Sequence, residues 1–400
     1  MSKDKQVWFV NRDLPPVFSG GGKNDALMAT LLPGFGFVPT LVGQKKGGEC
    51  SRERYRNVDV LRIGDFDKTS GKLLWGFLLF IAVISSKERP LLIRFRGFNF
   101  GFAVAISLLK RFVPSVRLAT QPACFGTDDP ESILGKAFGR WQLAQLKKCD
   151  AIFAMNGLYS QAFMAHGYPE SRIYPVRNPV TLSDIPPEAD RSRIRQRVGI
   201  ENPEDFLILT IGILDVRKRQ GFITRALCQA MASVPSRRVV LAHVGPNSED
   251  LSSLNRPDKV RAAKIVEGEI EAARLACPSC VDIKLLGHRD DVPDLLSAAD
   301  LFIHASTSEG EANVVNEAMA MGVAVIVPRH PIYSLQVNDA VSCVFEPDSE
   351  ESLAATIHEL VADNDKRSQL GKNARRHVIE TRSPENAAAY YADILSRITS

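Results

Sequence analysis

In both halves of this 400-residue chain, short apolar runs rich in Val, Ile, Leu and Phe alternate with segments long enough to hold helices, and that alternation restricts the fold more than any other feature. The first half carries VWFV, PTLVG, VDVLRI, PLLIRF, VRLAT, AIFAM and IYPV; the second carries FLILTIG, RVVLAHVG, DIKLLG, LFIHAS, AVIVP and SCVFEP. Strands separated by helices belong to parallel, doubly wound sheets. The expected fold is therefore α/β, two Rossmann-like domains facing a central cleft. The polar stretch LSDIPPEADRSRIRQRVGIENPED, with two adjacent prolines, is the expected junction, giving domains over 1–180 and 181–383. After the last strand the chain reads as helical to its end, and a helix over about 384–400 is expected to pack back on the first domain.

Ligands of open α/β sheets bind where strand ends feed helix starts. One such place is SEGEANVVNEAMAMG, residues 308–322, which follows the strand-like Leu301–Ile303. Glu309 falls in the entering loop and Glu317 one to two turns inside the helix, so the two carboxylates share one helix mouth. Backbone N–H groups and the dipole there attract anions, and a carboxylate on either side can grip what the anion is attached to. A sugar nucleotide meets that description. The plainer reading is that acidic residues near a helix start merely offset its dipole.

In LTIGILDVRKRQGFITRAL a strand ends at Gly212, and Arg217, Lys218 and Arg219 precede a helical segment. Three cations beside a helix mouth make a diphosphate trap; otherwise they are an ordinary exposed basic loop. The first loop, NRDLPPVFSGGGKNDALMATLL, places Gly20, Gly21 and Gly22 between an opening strand and a helix. It is not GxGxxG, which disfavours a dinucleotide, but three glycines still permit close approach of a ligand to the backbone.

Charge is distributed unevenly. Residues 1–180 carry 25 Lys and Arg against 14 Asp and Glu, and residues 181–400 carry 25 against 32. A basic first half points to an anionic partner, such as a phosphorylated acceptor, a membrane surface or a nucleic acid, unless it is only a solvated face. The segment KTSGKLLWGFLLFIAVISSKER has a 12-residue apolar core, 73–84, between basic flanks. That core is too short to span a bilayer; it reads as a buried helix or as one lying in a membrane interface. Seven scattered cysteines show no disulfide or zinc spacing, and Cys277 and Cys280 in CPSC are expected to be reduced thiols in a loop. The opening MSKDKQVWFVNRD has no signal-peptide pattern, so a cytoplasmic location, or a peripheral one on the inner face of the cell membrane, is expected. The lone D-x-D, at 65–67, sits in a polar segment and is not taken as a metal site.

Three ordered blocks, TIGILDVRKRQGFITRAL, LLGHRDDVPDLLSAADLFIHAS and SEGEANVVNEAMAMGVAVIVP, resemble the nucleotide-sugar-binding domain of the family-four retaining glycosyltransferases, which have the GT-B fold and an E-x7-E motif. The first half resembles the family through its glycine-rich loop and CDAIFAMNGLYSQAFMAHGYPESRIYPVRNPV. The resemblance implies that Lys218 meets the donor diphosphate with Arg217 or Arg219 assisting, that Gly21, Gly22 and Gly212 lie beside the donor, and that Glu309 holds the sugar hydroxyls. It further implies that the backbone of Gly310, Glu311, Ala312, Asn313 and Val314 holds phosphate and sugar, and that Glu317 accepts bonds from the ribose. Two positions depart from the family. Ile213 stands where many relatives have Arg, and the loop LATQPACFGTDD has Gln121 and Pro122 where a His is usual. Gln121 is the candidate replacement; His288 and His304 are read as structural.

As to activity, the resemblance implies front-face retaining transfer of a hexose, from a UDP-sugar by preference, to a glycan or lipid-linked acceptor in bacterial surface-polysaccharide or glycoconjugate synthesis. Fixed cations and N–H groups stabilise the departing diphosphate, so neither a metal nor another cofactor is expected, and no nucleic-acid partner. A nucleotide-sugar epimerase, which needs no anionic acceptor surface, and a catalytically silent GT-B binding subunit are the rivals. An NAD-dependent oxidoreductase fits worst.

Overall fold

The computed structural model describes residues 5–12, 14, 20–45, 49–64, 69–182, 188–232, 237–254 and 256–400. The D-x-D at 65–67 lies outside them. The chain divides into two compact units, the first made of 1–179, 309–311 and 382–400, the second of 180–308 and 312–381.

The first unit holds β1 (Lys5–Val10), β2 (Phe37–Gly43), β3 (Arg52–Tyr55), β4 (Val58–Arg62), β5 (Leu92–Arg96), β6 (Arg117–Gln121), β7 (Ala151–Ala154) and β8 (Ile173–Pro175), in sheet order β3-β4-β2-β1-β5-β6-β7-β8. Every pairing is parallel except β3 with β4. Strand β3, RERY, carries no apolar signal. It exists because Arg56 and Asn57, both at positive φ (46° and 69°), turn the chain back along β4 in the manner of a tight hairpin.

The helices of this unit are α1 (Gly20–Leu31), α2 (Thr69–Ile84), α3 (Phe100–Phe112), α4 (Pro130–Leu134), α5 (Gly139–Leu146) and α6 (Gly157–Ala165). Successive β1 side chains point to opposite faces of the sheet, and the two cores follow that alternation. Trp8 and Val10 join Trp75 and Leu79 of α2, Phe102 and Ile106 of α3, and Leu143 and Leu146 of α5 in one core. Val7 and Phe9 join Ala26 and Met28 of α1 and Ala388, Tyr391 and Leu395 of the last helix, Pro384–Thr399, in the other. Each such wholly buried large side chain contributes about 1.5–3 kcal/mol over leaving it in water. Helices α2 and α3 touch closely at glycines: a Cβ on Gly76 would lie 2.3 Å from the Gly101 carbonyl oxygen.

The second unit holds β9 (Phe206–Ile211), β10 (Val239–Val244), β11 (Val281–Leu285), β12 (Leu301–Ile303), β13 (Ala324–Pro328) and β14 (Cys343–Phe345), all parallel, in order β11-β10-β9-β12-β13-β14. Its helices are α7 (Glu188–Gln196), α8 (Gln220–Met231), α9 (Ser248–Ser253), α10 (Pro257–Leu275), α11 (Val292–Ala298), α12 (Asn313–Ala320), α13 (Glu350–Ala362) and α14 (Asn364–Arg382). The strand order reverses between β9 and β12, which sets the loops after those two strands side by side.

Within the expected junction, α7 buries Ile194 and sends Arg195 to the Ala298 carbonyl (2.9 Å) and the Asp300 carboxylate (2.8 Å), making it part of the second unit, as the expected range 181–383 has it. One sequence expectation fails here. The thiols of Cys228 and Cys277 are not both reduced, because α8 and the end of α10 bring them together as a disulfide, Cα to Cα 4.8 Å. Spacing could not show this, since 49 residues separate the two.

Candidate active site

In the second unit the loop after β9 is shaped by two glycines. Gly212 and Gly245, at φ 145° and 141°, lie so close that a Cβ on Gly245 would fall 2.3 Å from the Gly212 carbonyl oxygen. The stem of Lys218 passes across Gly212, its Cε 3.5 Å from where a Cβ would stand, an ordinary contact distance; the backbone at φ 145°, not lack of space, is what favours glycine there. Asp215 starts a single helical turn at 216–218 by accepting the Arg217 N–H (3.1 Å) and the Lys259 ammonium (3.0 Å). Partial burial would raise its carboxyl, but those partners hold it below its ordinary value.

The three cations of this loop take different paths. Arg217 donates through Nη1 to the carbonyl of Ser308 (2.6 Å), tying the loop after β9 to the loop after β12. Arg219, in the left-handed region at φ 59°, pairs with Asp348 (2.8 Å) and lies over the Phe222 ring (4.1 Å). Arg219 is thus held by protein partners rather than presented as the third arm of an anion trap. Ile213 packs on a small apolar cluster with Leu214 and Ile283.

After β12, α12 begins with Ala312 in a non-helical conformation and no side-chain cap. Glu317 is exposed on this helix. Within the 310–314 backbone expected to hold phosphate and sugar, the Ala312 N–H donates to Gln336 Oε1 (3.2 Å). Gln336 also donates to the Ala312 carbonyl (3.0 Å) and to Asn316 Oδ1 (3.1 Å), fixing the helix start. His304 is buried, stacked on Phe302 and edge-on to Tyr333, while His288 is exposed beside Asp290.

In the first unit, residues 309–311 are gripped by the loops that follow β6, β7 and β8. The Asn156 amide donates to the Gly310 carbonyl (2.7 Å) and, more weakly, to that of Glu309 (3.3 Å). A Cβ on Gly310 would meet the Ala123 carbonyl oxygen at 2.2 Å, so only glycine fits there. The side chain of Glu311, expected to contribute only its backbone, is taken up by the protein: its carboxylate, wholly buried, pairs with Arg382 and accepts the Asn178 N–H (2.9 Å).

The loop after β6, where Gln121 and Pro122 depart from the family, is held by Asp128. Its buried carboxylate accepts the N–H groups of Ala123 (2.6 Å) and Cys124 (3.2 Å) and the Tyr159 hydroxyl (2.9 Å). Burial pushes the Asp128 carboxyl up to about 6 despite those bonds. Gln121 itself is buried, its Oε1 without a hydrogen-bond partner, and lines a small cavity with Asp25, Arg94, Arg96 and Arg177. Asp25 pairs there with Arg94 (2.7 Å) and Arg96 (2.8 Å), and these two guanidinium groups outweigh burial to hold its carboxyl below the ordinary value. This cluster escaped the sequence reading, although charges at alternate positions of the strand LIRFR are a signal that one face of that strand is not plain core.

Gly21 and Gly22 are not in a loop: α1 begins at Gly20. A Cβ on Gly21 would fall 2.8 Å from Arg96 Cδ, so this glycine makes room for the cluster's arginine.

Residues 193–377 match the family described as glycosyl transferases group 1. Relatives extend the likeness: the chain is 26% identical over 215 residues to the lipopolysaccharide glucosyltransferase WaaG of Escherichia coli, covering 48% of this chain and 56% of WaaG. It is 23% identical over 167 residues to the alpha-monoglucosyldiacylglycerol synthase of Acholeplasma laidlawii, covering 41% of this chain and 37% of that one. The match thus spans about half or less of each relative's length. In fold, 98% of the chain superposes on all of Anabaena HepE, solved with UDP and glucose, at a TM-score of 0.74 and 18% identity. The fold is GT-B.

Proposed function

We propose that the protein is a retaining glycosyltransferase that moves a hexose from a UDP-sugar to a glycan or lipid-linked acceptor of the bacterial cell surface. The observation that carries this reading is the switch point of the second unit. There Lys218 lies over Gly212, and Arg217 ties its loop to the one that leads into Glu309, Gly310 and α12. Lys218 neutralises the departing diphosphate, Glu309 and Gln121 act at the sugar, and Glu317 receives the ribose. No step in this scheme uses a metal. The lipid-linked acceptor draws support from two relatives whose names specify lipopolysaccharide and a diacylglycerol. The epimerase is disfavoured because it leaves the basic first unit without an anionic acceptor to meet, and the silent binding subunit because Lys218, Glu309 and Glu317 are all present.

The test is a mass-spectrometric screen of nucleotide sugars, first for slow hydrolysis, then for transfer to membrane extracts and defined glycans. Release of UDP with an acceptor-dependent sugar adduct of retained anomeric configuration is expected. Interconversion of two nucleotide sugars without an acceptor would establish the epimerase instead, and binding without turnover of any donor would establish the silent subunit.

A further inference from the structure

We propose that the outer surface of the α2–α3–α5 layer of the first unit docks on an anionic lipid bilayer. A helix that covers a sheet normally shows charged residues to water. Helix α2 buries Trp75, Leu79 and Val83 against the sheet, yet its other face exposes Leu73 (52%), Leu74 (56%) and Phe77 (49%), with Ile81 and Ile84 beyond them. Phe112, at the end of α3, is 65% exposed and extends the apolar surface through Phe80, whose ring lies 5.8 Å from that of Phe112 and 6.3 Å from that of Phe77.

A second observation lies at the other side of the same layer. Phe138, just before α5, is 74% exposed and held in the left-handed region at φ 56°. A bulky aromatic side chain is unfavourable in that backbone region and unfavourable in water, so its placement fits a task at an interface. Its ring and that of exposed Trp141 both rest on Phe100 of α3, at 5.9 and 5.5 Å.

Charge selects the occupant. Across 69–84, 100–112 and 130–148 there are seven Lys and Arg against one acid, Glu131. Of these, Arg111, Lys136, Arg140, Lys147 and Lys148 are exposed. A second copy of the chain, meeting this face with its own, would set bases against bases; lipid phosphates complement them. No helix among the described residues is long and apolar enough to cross a membrane, so the surface lies on the bilayer with its aromatic and aliphatic side chains in the headgroup region. The inference deepens the reading of a lipid-linked acceptor but is tested apart from it.

The full-length chain is floated with vesicles of phosphatidylcholine alone or mixed with phosphatidylglycerol. Binding is expected at least about tenfold stronger on the anionic vesicles, weakening steeply as salt passes about 0.15 M. Leu74→Glu with Phe77→Glu, and separately Lys147→Glu with Lys148→Glu, are each expected to lower the bound fraction about tenfold while UDP affinity by calorimetry stays at the wild-type value. Equal binding to neutral and anionic vesicles, or wild-type flotation of both double variants, would overturn the proposal. So would a dimer in light scattering that the Leu74/Phe77 variant dissociates, if the wild-type chain ignores vesicles. Flotation as expected in a protein that binds no nucleotide would support this surface and sink the glycosyltransferase reading alone.

Discussion

Arg382 and Glu311 form an ion pair in which neither side chain is exposed to solvent. The other carboxylate oxygen accepts the Asn178 N–H, so Glu311 is satisfied on both sides by protein. Replacing it with Ala leaves a buried guanidinium without its counter-charge, a change that costs about 3–5 kcal/mol in comparable pairs. Glu311→Ala is expected to unfold at markedly lower denaturant, while the folded fraction binds UDP as the wild type does. A wild-type unfolding midpoint with weakened UDP binding would return Glu311 to the donor site.

The basic loop after β9 offers a comparison among neighbours. On the proposed mechanism, Lys218→Ala is expected to lower kcat/KM by about two orders of magnitude or more, because it would remove a charge matched to the diphosphate as it leaves. Arg219→Ala removes a cation already held by Asp348 and Phe222, and turnover is expected to fall by less than about fivefold. Steady-state kinetics with the best donor decide between them; equal losses would mean that Arg219 leaves Asp348 when the donor binds.

The strands and the two-domain α/β plan were legible because buried parallel strands are written in local apolar runs, and all thirteen such runs became strands; the GT-B assignment rested on the family resemblance. What stayed hidden depends on contacts distant in sequence. Asp25 reaches Arg94 and Arg96 across 69 and 71 residues, and Asn156 reaches the Gly310 carbonyl across 154. Local reading also treated 217–219 as one basic patch, whereas a left-handed turn at Arg219 separates it from its neighbours. The three glycines read as a loop because glycine disfavours helix, yet Gly21 opens α1 to admit Arg96.

Asp128 makes stability depend on pH. Its folded-state value, about 6, lies above the ordinary 3.8, so between those values the unfolded chain gives up the proton while the folded chain keeps it. The stabilisation is complete below the unfolded value and is lost as pH rises towards 6, a change of about 3 kcal/mol for a shift of roughly two units. Asp128→Asn carries no such titration. The stability difference between wild type and variant, from denaturant curves at pH 4 to 7, is expected to shift against the wild type across that window and to stay level above it. A difference that does not change with pH would show that the three donors around Asp128 keep it ionised throughout.

The two glutamates of the E-x7-E stretch are expected to separate binding from transfer. Glu317 is exposed one turn into α12, where a ribose hydroxyl can meet it, whereas Glu309 is nearly buried and its carbonyl is held by the Asn156 amide. In the proposed roles, loss of the first carboxylate would remove bonds made equally in ground and transition states, and loss of the second would remove contact with the sugar as its charge develops. Glu317→Ala is therefore expected to weaken UDP about tenfold in calorimetry with kcat little changed, and Glu309→Ala to leave UDP affinity intact while kcat falls about a hundredfold. Both variants and the wild type are expected to keep their rates in EDTA if, as proposed, the cation at Lys218 and the helix-mouth N–H groups rather than a metal receive the leaving diphosphate. Activity lost in chelator and restored by Mg²⁺ would overturn that assignment, and unchanged UDP affinity in Glu317→Ala would remove the ribose from its helix.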